Sequence, residues 1–406
     1  MIPNRFRPTV EDLEGRLTPA ICSVQFFSGL MVINGSALGD DITISQPSPG
    51  RITLTGGGST TLRFGAATGA AVSVGSAFAP VRSITANLNT GDDVITFDQT
   101  SSISLAGSVK IDLGNGNNSL FQFGDQALSI GGSLTLLQGT GSVDVGLADF
   151  RVAGSTSISF GSGMFENVNF STTPGMPNNR IGGNLIINTA RGAKQFFVDN
   201  TDVIGGTSIF GGSNSIGFTN MNLVFSELNN GIATVNLNGG LIYTESPGNF
   251  GDDTIGLFDG TTVNNSVRIT TFDGGSWIGF EGATVTRATT INELGPTGTN
   301  ILAFSANYRD SVFMGAVNIH MGNGADSIAF SVDSTNSLTF KGAITGATGS
   351  GNDSIMVGGG GTSLHFDGGG VFNLGMGFDE VDCEQHTGFL FIFNVELPMP
   401  NPPPLV

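Results

Sequence analysis

The chain has 406 residues, of which 12% are charged, about half the share found in an ordinary globular domain, and 63 are glycine. Acidic residues outnumber basic ones by 33 to 15, and the net charge of −18 excludes a general nucleic-acid-binding role because phosphates need Lys and Arg. Two cysteines exclude a disulfide scaffold, and no apolar run reaches the roughly 18 residues of a membrane helix, so we expect a soluble protein without a transmembrane segment.

The first twenty residues differ in composition from the rest of the chain and are predicted to form an N-terminal leader (residues 1–20). They contain three of the fifteen basic residues, interleaved with three acidic ones. Residues 7–20 (RPTVEDLEGRLTPA) resemble the N-terminal motif of planctomycete extracellular proteins, R-P-x-L-E-x-L-E-x-R-x-x-P-A, with Val10 at a position that is usually leucine. The resemblance implies export, so we expect an extracellular or cell-surface location. It implies nothing about activity.

Residues 21–392 are dominated by a repeat that carries two glycine motifs. One reads apolar-x-Gly-small-apolar-x-apolar, as in 105–111 (LAGSVKI), and the other reads Gly-x-polar-x-apolar-x-apolar, as in 91–97 (GDDVITF). The two glycines are nine residues apart in seven repeats, as Gly107 and Gly116 are, and consecutive second-motif glycines are 22 to 29 residues apart. A period of this length indicates stacked copies of one small unit instead of several separate domains.

Each period contains three short segments in which apolar and polar residues alternate, such as 102–105, 108–113 and 119–123. Alternation predicts strands with one buried face, and the Gly, Asn and Asp residues between them predict tight turns. A three-strand unit cannot bury its own apolar face and must stack on its neighbours. The sequence therefore predicts an all-β, right-handed parallel β-helix (β-solenoid) with about 25 residues and three short strands per coil. We expect about fourteen coils, with an irregular register across 200–260.

Aromatic residues are predicted to line the interior, because 31 phenylalanines against two tyrosines and one tryptophan indicate a dry core. Stacking places equivalent residues about 4.8 Å apart, so phenylalanines six residues after the second-motif glycine should form a ladder of rings. The residues at that position are Phe64, Phe97, Phe218, Phe280, Phe304 and Phe330. The same register predicts that Val109, Leu134 and Val317 share one sheet. Cys22 and Cys383 should lie at opposite ends of the rod, too far apart for a disulfide.

Polysaccharide hydrolases and lyases also use β-helix folds, so catalytic residues are an alternative reading of the polar positions. Asn200-Thr201-Asp202, followed by Asp252-Asp253, resembles part of the polygalacturonase pattern, but the Gly-His-Gly and Arg-Ile-Lys elements of that pattern are absent. The three lysines and three histidines show no spacing typical of a lyase base or an activated nucleophile. We therefore predict no catalytic residues and no enzymatic activity.

A third pattern, Gly-x-Gly-x-Asp-x-apolar, occurs three times near the C-terminus and resembles half of the calcium-binding nonapeptide of the RTX repeat. Stacking predicts that Asp326, Asp353 and Asp379 form a column about 5 Å apart, where their charges repel one another. Raised pKa values or a bound cation would relieve this repulsion, and calcium, which binds six to eight oxygens, is the natural candidate metal. Alternatively, these aspartates only bind backbone amides of their own turns. In other coils the same position is predicted to hold Asn118, Val143, Phe165, Lys194 and Ser276.

The last residues, 393–406, contain the run LPMPNPPP after position 396 and are predicted to be a Pro-rich tail. For the whole chain we predict a secreted or cell-surface protein with a structural or adhesive function. We expect it to be monomeric and to require no cofactor, and its candidate partners are the extracellular matrix or a polysaccharide. The alternative is a carbohydrate-active enzyme or polysaccharide-binding module with a groove along one sheet. Thr, Ser and Asn at outward positions, in place of Tyr and Trp, favour the structural function.

Overall fold

The structure, a computed structural model, describes residues 20–163, 165–173, 176–190, 193–211, 221–225, 235–245, 253–258, 260–272, 275–295, 298–359, 363–384 and 386–395. Except for Ala20, the predicted leader lies outside the described residues, as does the tail beyond Val395. The described residues form strands, turns and bends, and they include no helix long and apolar enough to cross a membrane.

The described residues form 42 short strands, most of which are three to seven residues long. In chain order the strands are β1 (Ile21–Phe27), β2 (Leu30–Asn34), β3 (Asp41–Ser48), β4 (Arg51–Gly56), β5 (Thr61–Phe64), β6 (Ala67–Gly69), β7 (Ala71–Gly75), β8 (Ser83–Asn87), β9 (Val94–Asp98), β10 (Ile103–Leu105), β11 (Val109–Asp112), β12 (Asn118–Phe123), β13 (Leu128–Ile130), β14 (Leu134–Gln138), β15 (Val143–Ala148), β16 (Phe150–Val152), β17 (Thr156–Phe160), β18 (Phe165–Ser171), β19 (Asn179–Ile181), β20 (Leu185–Asn188), β21 (Ala193–Val198), β22 (Thr201–Val203), β23 (Thr207–Gly211), β24 (Met221–Phe225), β25 (Asn236–Leu237), β26 (Leu241–Glu245), β27 (Asp253–Leu257), β28 (Thr262–Val263), β29 (Val267–Thr271), β30 (Ser276–Glu281), β31 (Thr284–Val285), β32 (Thr289–Glu293), β33 (Ile301–Ala306), β34 (Ser311–Phe313), β35 (Val317–His320), β36 (Ser327–Val332), β37 (Leu338–Phe340), β38 (Ile344–Ala347), β39 (Ser354–Gly359), β40 (Leu364–Asn373), β41 (Glu380–Cys383) and β42 (Thr387–Phe393).

Most strands belong to three parallel sheets, which the chain visits in the same order in every turn. Sheet I consists of β10, β13, β16, β19, β22, β25, β28, β31, β34, β37 and the first part of β40. Sheet II consists of β2, β8, β11, β14, β17, β20, β23, β26, β29, β32, β35, β38 and the last part of β40. Sheet III consists of β3, β9, β12, β15, β18, β21, β24, β27, β30, β33, β36, β39 and β41. The predicted all-β parallel β-solenoid with three strands per coil is confirmed.

Ten consecutive turns have a separate strand in each sheet, from β10–β12 to β37–β39, and β40 with β41 adds one turn in which a single long strand serves sheets I and II. The average turn has about 26 residues, close to the predicted 25. At about 4.8 Å per turn, the ten regular turns extend for about 48 Å. The expectation of fourteen coils was wrong.

The N-terminal end explains the smaller number of coils. Here β1 pairs with β2, β3 with β4, β4 with β7, and β5 with β6, and all four pairings are antiparallel. Alternation of apolar and polar residues predicts a strand with one buried face but not the direction of its partner. These hairpins therefore close one end of the stack in place of the expected coils.

Two ladders of phenylalanine rings fill the C-terminal half of the interior. Phe280, Phe304 and Phe330 on sheet III are buried, and consecutive centroids are 5.2 and 5.4 Å apart in stacked geometry. This confirms the predicted ladder for these three residues. A second ladder on sheet I, which the spacing of the glycine motifs does not predict, contains Phe313, Phe340 and Phe366, with centroids 5.1 and 5.4 Å apart. Rings of the two ladders meet edge to face, the arrangement that aromatic quadrupoles favour.

The remaining interior predictions have mixed outcomes. Phe97 is buried as predicted, but its register partners are Ile44 and Gln122, so it extends neither ladder. Phe64 was assigned wrongly, because it is only partly buried and lies in the N-terminal hairpin of β5 and β6. Phe218 lies outside the described residues.

The predicted sheet membership and cysteine positions are confirmed. Val109, Leu134 and Val317 all lie on sheet II. Cys22 in β1 and Cys383 in β41 are free thiols at opposite ends of the stack.

Candidate functional site: a buried polar column

One inward position at the start of sheet III is polar along most of the rod. We call this set the polar column. Its members, in register from the N-terminal to the C-terminal coil, are Asp40, Asp93, Asn118, Val143, Glu166, Lys194, Asp253, Ser276, Asn300, Asp326, Asp353 and Asp379, and the coil of β24 lies between Lys194 and Asp253. Every polar member is at most 5% exposed. Seven carboxyl groups therefore lie inside the tube, where an ionised group is costly unless it is paired or hydrogen-bonded.

The three aspartates singled out by their motif occupy consecutive coils of this column. Oδ1 of Asp353 accepts the backbone N–H of Asp326 at 2.9 Å, and Oδ1 of Asp379 accepts the backbone N–H of Asp353 at 2.9 Å. The predicted stacking of Asp326, Asp353 and Asp379 is thus confirmed. The alternative, that each carboxylate binds amides of its own turn, is wrong for these two bonds, because the amides belong to the preceding coil.

The same bond between coils occurs elsewhere in the column. Oδ1 of Asp93 accepts the backbone N–H of Asp40 at 2.7 Å, and Oδ1 of Asn118 accepts that of Asp93 at 2.7 Å. Oδ1 of Asn300 accepts the backbone N–H of Ser276 at 3.0 Å. A buried N–H without a partner would cost about 1 to 3 kcal/mol. Each of these side chains therefore satisfies one amide of its neighbour, a task that needs an acceptor oxygen but not a charge.

The second carboxyl oxygen has no such task. Oδ2 of Asp93, Asp326 and Asp379 is buried and has no hydrogen-bond partner. Burial raises the pKa of Asp93 to about 7 and the pKa of Asp326 to about 6, and it also raises the pKa of Asp353. In Asp93 and Asp326, a proton on the unpartnered Oδ2 removes the charge and leaves the hydrogen bond through Oδ1 intact.

A second row of polar side chains faces the column across the corner between sheets II and III. Oε1 of Gln138 accepts a hydrogen bond from Nδ2 of Asn118 at 2.8 Å. The hydroxyl of Tyr243 donates to Oδ2 of Asp253 at 3.0 Å. Glu293 is buried, neither of its carboxyl oxygens has a hydrogen-bond partner, and burial, followed by the charge of Asp326, raises its pKa well above the usual value. The corner between sheets II and III therefore contains buried polar side chains, some of which are hydrogen-bonded to the column.

Glu166 and Lys194 form an ion pair within the column. No other ion pair joins two of the described residues. Nζ of Lys194 lies 2.7 Å from Oε2 of Glu166, and the side chains are 3% and 0% exposed. Burial lowers the pKa of Lys194 and raises the pKa of Glu166 to about 7, while the partner opposes each shift. The assignment of Phe165 to this position was wrong. One additional residue separates Gly163 from the strand, so Glu166 points inward and Phe165 is exposed.

The column does not bring its carboxylates into a ready-made metal cage. Among the described residues, no group of three or more His, Cys, Asp or Glu side chains is placed to hold a metal ion. The column supplies at most one carboxyl per coil, and one oxygen of Asp353 and of Asp379 already accepts an amide N–H. Calcium usually takes six to eight oxygens. Metal binding by Asp326, Asp353 and Asp379 therefore stays a prediction.

The residues considered for catalysis are not assembled into one site. Asp202 lies in β22 on sheet I and is partly exposed, whereas Asp253 is buried on sheet III and accepts a hydrogen bond from Tyr243. Asp252 lies outside the described residues. Nδ1 of His365 lies 2.6 Å from Oγ1 of Thr387 at the exposed C-terminal end of the stack, on sheet I and away from Asp253.

We expect the folded protein to become more stable when the pH falls from 8 to 5. The carboxyls of Asp93 and Asp326 titrate near 7 and 6 in the folded state, whereas an aspartate in the unfolded chain has a pKa near 4. Between these values the folded state holds protons that the unfolded state has lost, so stability rises as pH falls and is lost as pH rises. The midpoint of thermal unfolding, measured by circular dichroism, should be about 4 °C higher at pH 5 than at pH 8.

The variant Asp326→Asn tests the origin of this pH dependence. This variant keeps an acceptor for the backbone N–H of Asn300 and removes the titrating carboxyl group. The unfolding midpoints at pH 5 and pH 8 should therefore differ less than they do in the unmodified protein. Asp125→Asn, at an exposed position, is the matched control and should leave the difference unchanged. A thermal unfolding midpoint that is lower at pH 5 than at pH 8 would contradict the assignment of raised pKa values.

The polar column therefore links neighbouring coils. Its side-chain bonds to backbone amides join residues that are 24 to 53 positions apart in sequence. Its groups lie inside the tube, where a large substrate has no access.

No family model, curated protein or solved structure matches the chain.

Proposed function

We propose that the protein is a secreted or cell-surface structural or adhesive rod without catalytic activity. The observation that carries this proposal is the set of side-chain hydrogen bonds in the polar column that join neighbouring coils, in addition to the backbone hydrogen bonds of the three parallel sheets. A tube whose interior is filled with aromatic ladders and a hydrogen-bonded column is suited to holding a shape. The resemblance of residues 7–20 to an export motif supports an extracellular location, and a planctomycete origin belongs to the same proposal.

Expression of the full chain in a host with a matching export system tests the location and the activity together. We expect the protein in the medium or on the cell surface, monomeric by light scattering and rod-shaped by negative-stain electron microscopy. It should leave pectin and alginate at full length during prolonged incubation. Depolymerisation that is lost in Asp202→Asn or Asp253→Asn would favour the alternative, a carbohydrate-active enzyme, and retention in the cytoplasm would contradict the extracellular role.

Calcium stabilisation of the C-terminal coils remains a secondary proposal for Asp326, Asp353 and Asp379. Calcium and protons compete for the same carboxyl oxygens, so any effect of calcium should be larger at pH 8 than at pH 5. Calorimetric titration with calcium chloride, and thermal unfolding with and without a chelator, measure it directly. Absence of both heat and a change in the unfolding midpoint at pH 8 would leave protonation as the means of relieving the buried charge.

A further inference from the structure

Two arginines lie side by side on the outer face of sheet I. Arg151 in β16 and Arg180 in β19 are direct register partners on adjacent strands, and both are exposed. Adjacent strands are about 4.8 Å apart, so the two guanidinium groups extend from neighbouring points of the same surface. Like charges at directly paired positions destabilise a sheet. A negatively charged group bound between the two arginines would therefore reduce their repulsion.

No ion pair within the described part of the chain neutralises either arginine. The one ion pair of that part is Glu166–Lys194, inside the tube. Asp202 is the next residue in register after Arg180, but no ion pair joins the two side chains. Oδ1 of Asp202 accepts hydrogen bonds from Nδ2 of Asn236 at 2.6 Å and from Nδ2 of Asn178 at 3.5 Å. Both guanidinium groups are therefore available to a ligand, although the protein as a whole carries a net charge of −18.

The two arginines line a depression of about 430 Å³ that crosses four coils. Ser104 and Ser129 precede them in the same outward register, and small residues, including Ala106 and Gly131, form the adjacent turn. A second depression, of about 400 Å³, shares Ala106 with the first and is lined by Arg82. We call the two together the arginine groove. In the arginine groove, guanidinium and hydroxyl groups follow one another from coil to coil, so they can contact successive units of an extended ligand.

We propose that the arginine groove binds an acidic polysaccharide through carboxylate or sulfate groups on its sugars. Arginine presents a planar fork that matches either anion in bidentate geometry, and the serine hydroxyls can donate to or accept from sugar hydroxyls. Small side chains at the turn let a sugar ring approach the backbone closely. Double-stranded nucleic acid is disfavoured because it carries about one negative charge per 1.7 Å of helix axis, more than a few arginines can neutralise. The inference goes beyond a structural rod, since it assigns a ligand class to a particular face.

Binding measurements with the purified full chain test the proposal. Polygalacturonate presents carboxylates, heparin presents mainly sulfates, and dextran is a neutral control, so titration with each separates the two anions from the sugar itself. Arg151→Gln and Arg180→Gln should each weaken binding about tenfold, and the double variant about a hundredfold. Arg268→Gln, at an exposed outward position of sheet II, is the matched control and should bind as the unmodified protein does. Affinity should fall with added salt.

Three results would overturn the proposal: equal binding by the double variant, equal binding to dextran, or equally tight binding to double-stranded DNA. Circular dichroism of each variant establishes that it is folded, so a loss of binding is not mistaken for unfolding. Because the titrations use purified protein, they are independent of the proposed extracellular location. A protein that fails to be exported but binds polygalacturonate would refute the location alone.

Discussion

Replacing Lys194 with methionine is expected to lower the free energy of unfolding by about 3 to 5 kcal/mol. The side chain is almost fully buried, and its Nζ is 2.7 Å from the carboxylate of Glu166. Methionine fills a similar volume but leaves the carboxylate without its cation in a site of low dielectric constant. Chemical denaturation at pH 8 measures the loss. It should be smaller at pH 5, because the isolated Glu166 takes up a proton there.

Two further variants separate the charge effect from a packing effect. Lys110→Met removes an exposed lysine of sheet II and should change stability by less than about 0.5 kcal/mol. The double variant Glu166→Leu with Lys194→Met removes both charges and should recover most of the stability, since well-packed apolar residues often replace a buried ion pair without loss. A double variant as unstable as Lys194→Met alone would show that packing, not the unpaired charge, causes the loss.

Replacing Gly351 with alanine is expected to lower the free energy of unfolding by about 3 kcal/mol or more. Gly351 has φ of +147°, a conformation that residues with a side chain rarely adopt, and a Cβ there would overlap the backbone carbonyl of Gly324 in the neighbouring coil. Strain of this kind costs about 1 to 3 kcal/mol, and separation of the two coils adds to it. Thermal and chemical denaturation measure the effect.

Gly65→Ala is the matched control for this substitution. Gly65 also has a positive φ, of +61°, but a Cβ there has no atom within 4 Å. We expect it to cost about 1 kcal/mol, the penalty of the left-handed backbone alone. Equal losses in the two variants would mean that close approach between coils contributes nothing to the preference for glycine at position 351.

The period and the three-strand unit were predictable because both depend on local signals. Gly116, Gly324 and Gly351 have positive φ values, and these glycines set the nine-residue offset that reveals the coil. Alternation then identifies the inward face of each strand. Neither signal specifies strand direction, which is why the antiparallel hairpins of the N-terminal end were not anticipated.

The polar column was predictable only in part. The Gly-x-Gly-x-Asp spacing correctly stacked Asp326 on Asp353, because each lies two residues after its glycine. At Glu166 one additional residue changes that count, so a rule based on spacing selects the wrong side chain. The neighbour of Asp326 across the corner, Glu293, comes from a different turn, and no local pattern connects the two.

The order of the parallel turns has a mechanical consequence. Each coil is held mainly by the coils directly before and after it, so tension applied to the two chain ends reaches the coils in series. The terminal coil can detach without disturbing the interior of the stack, and the next coil then becomes terminal. Each detachment releases about 26 residues, or about 85 Å of extended chain. A stretched rod would therefore lengthen in regular steps and yield turn by turn.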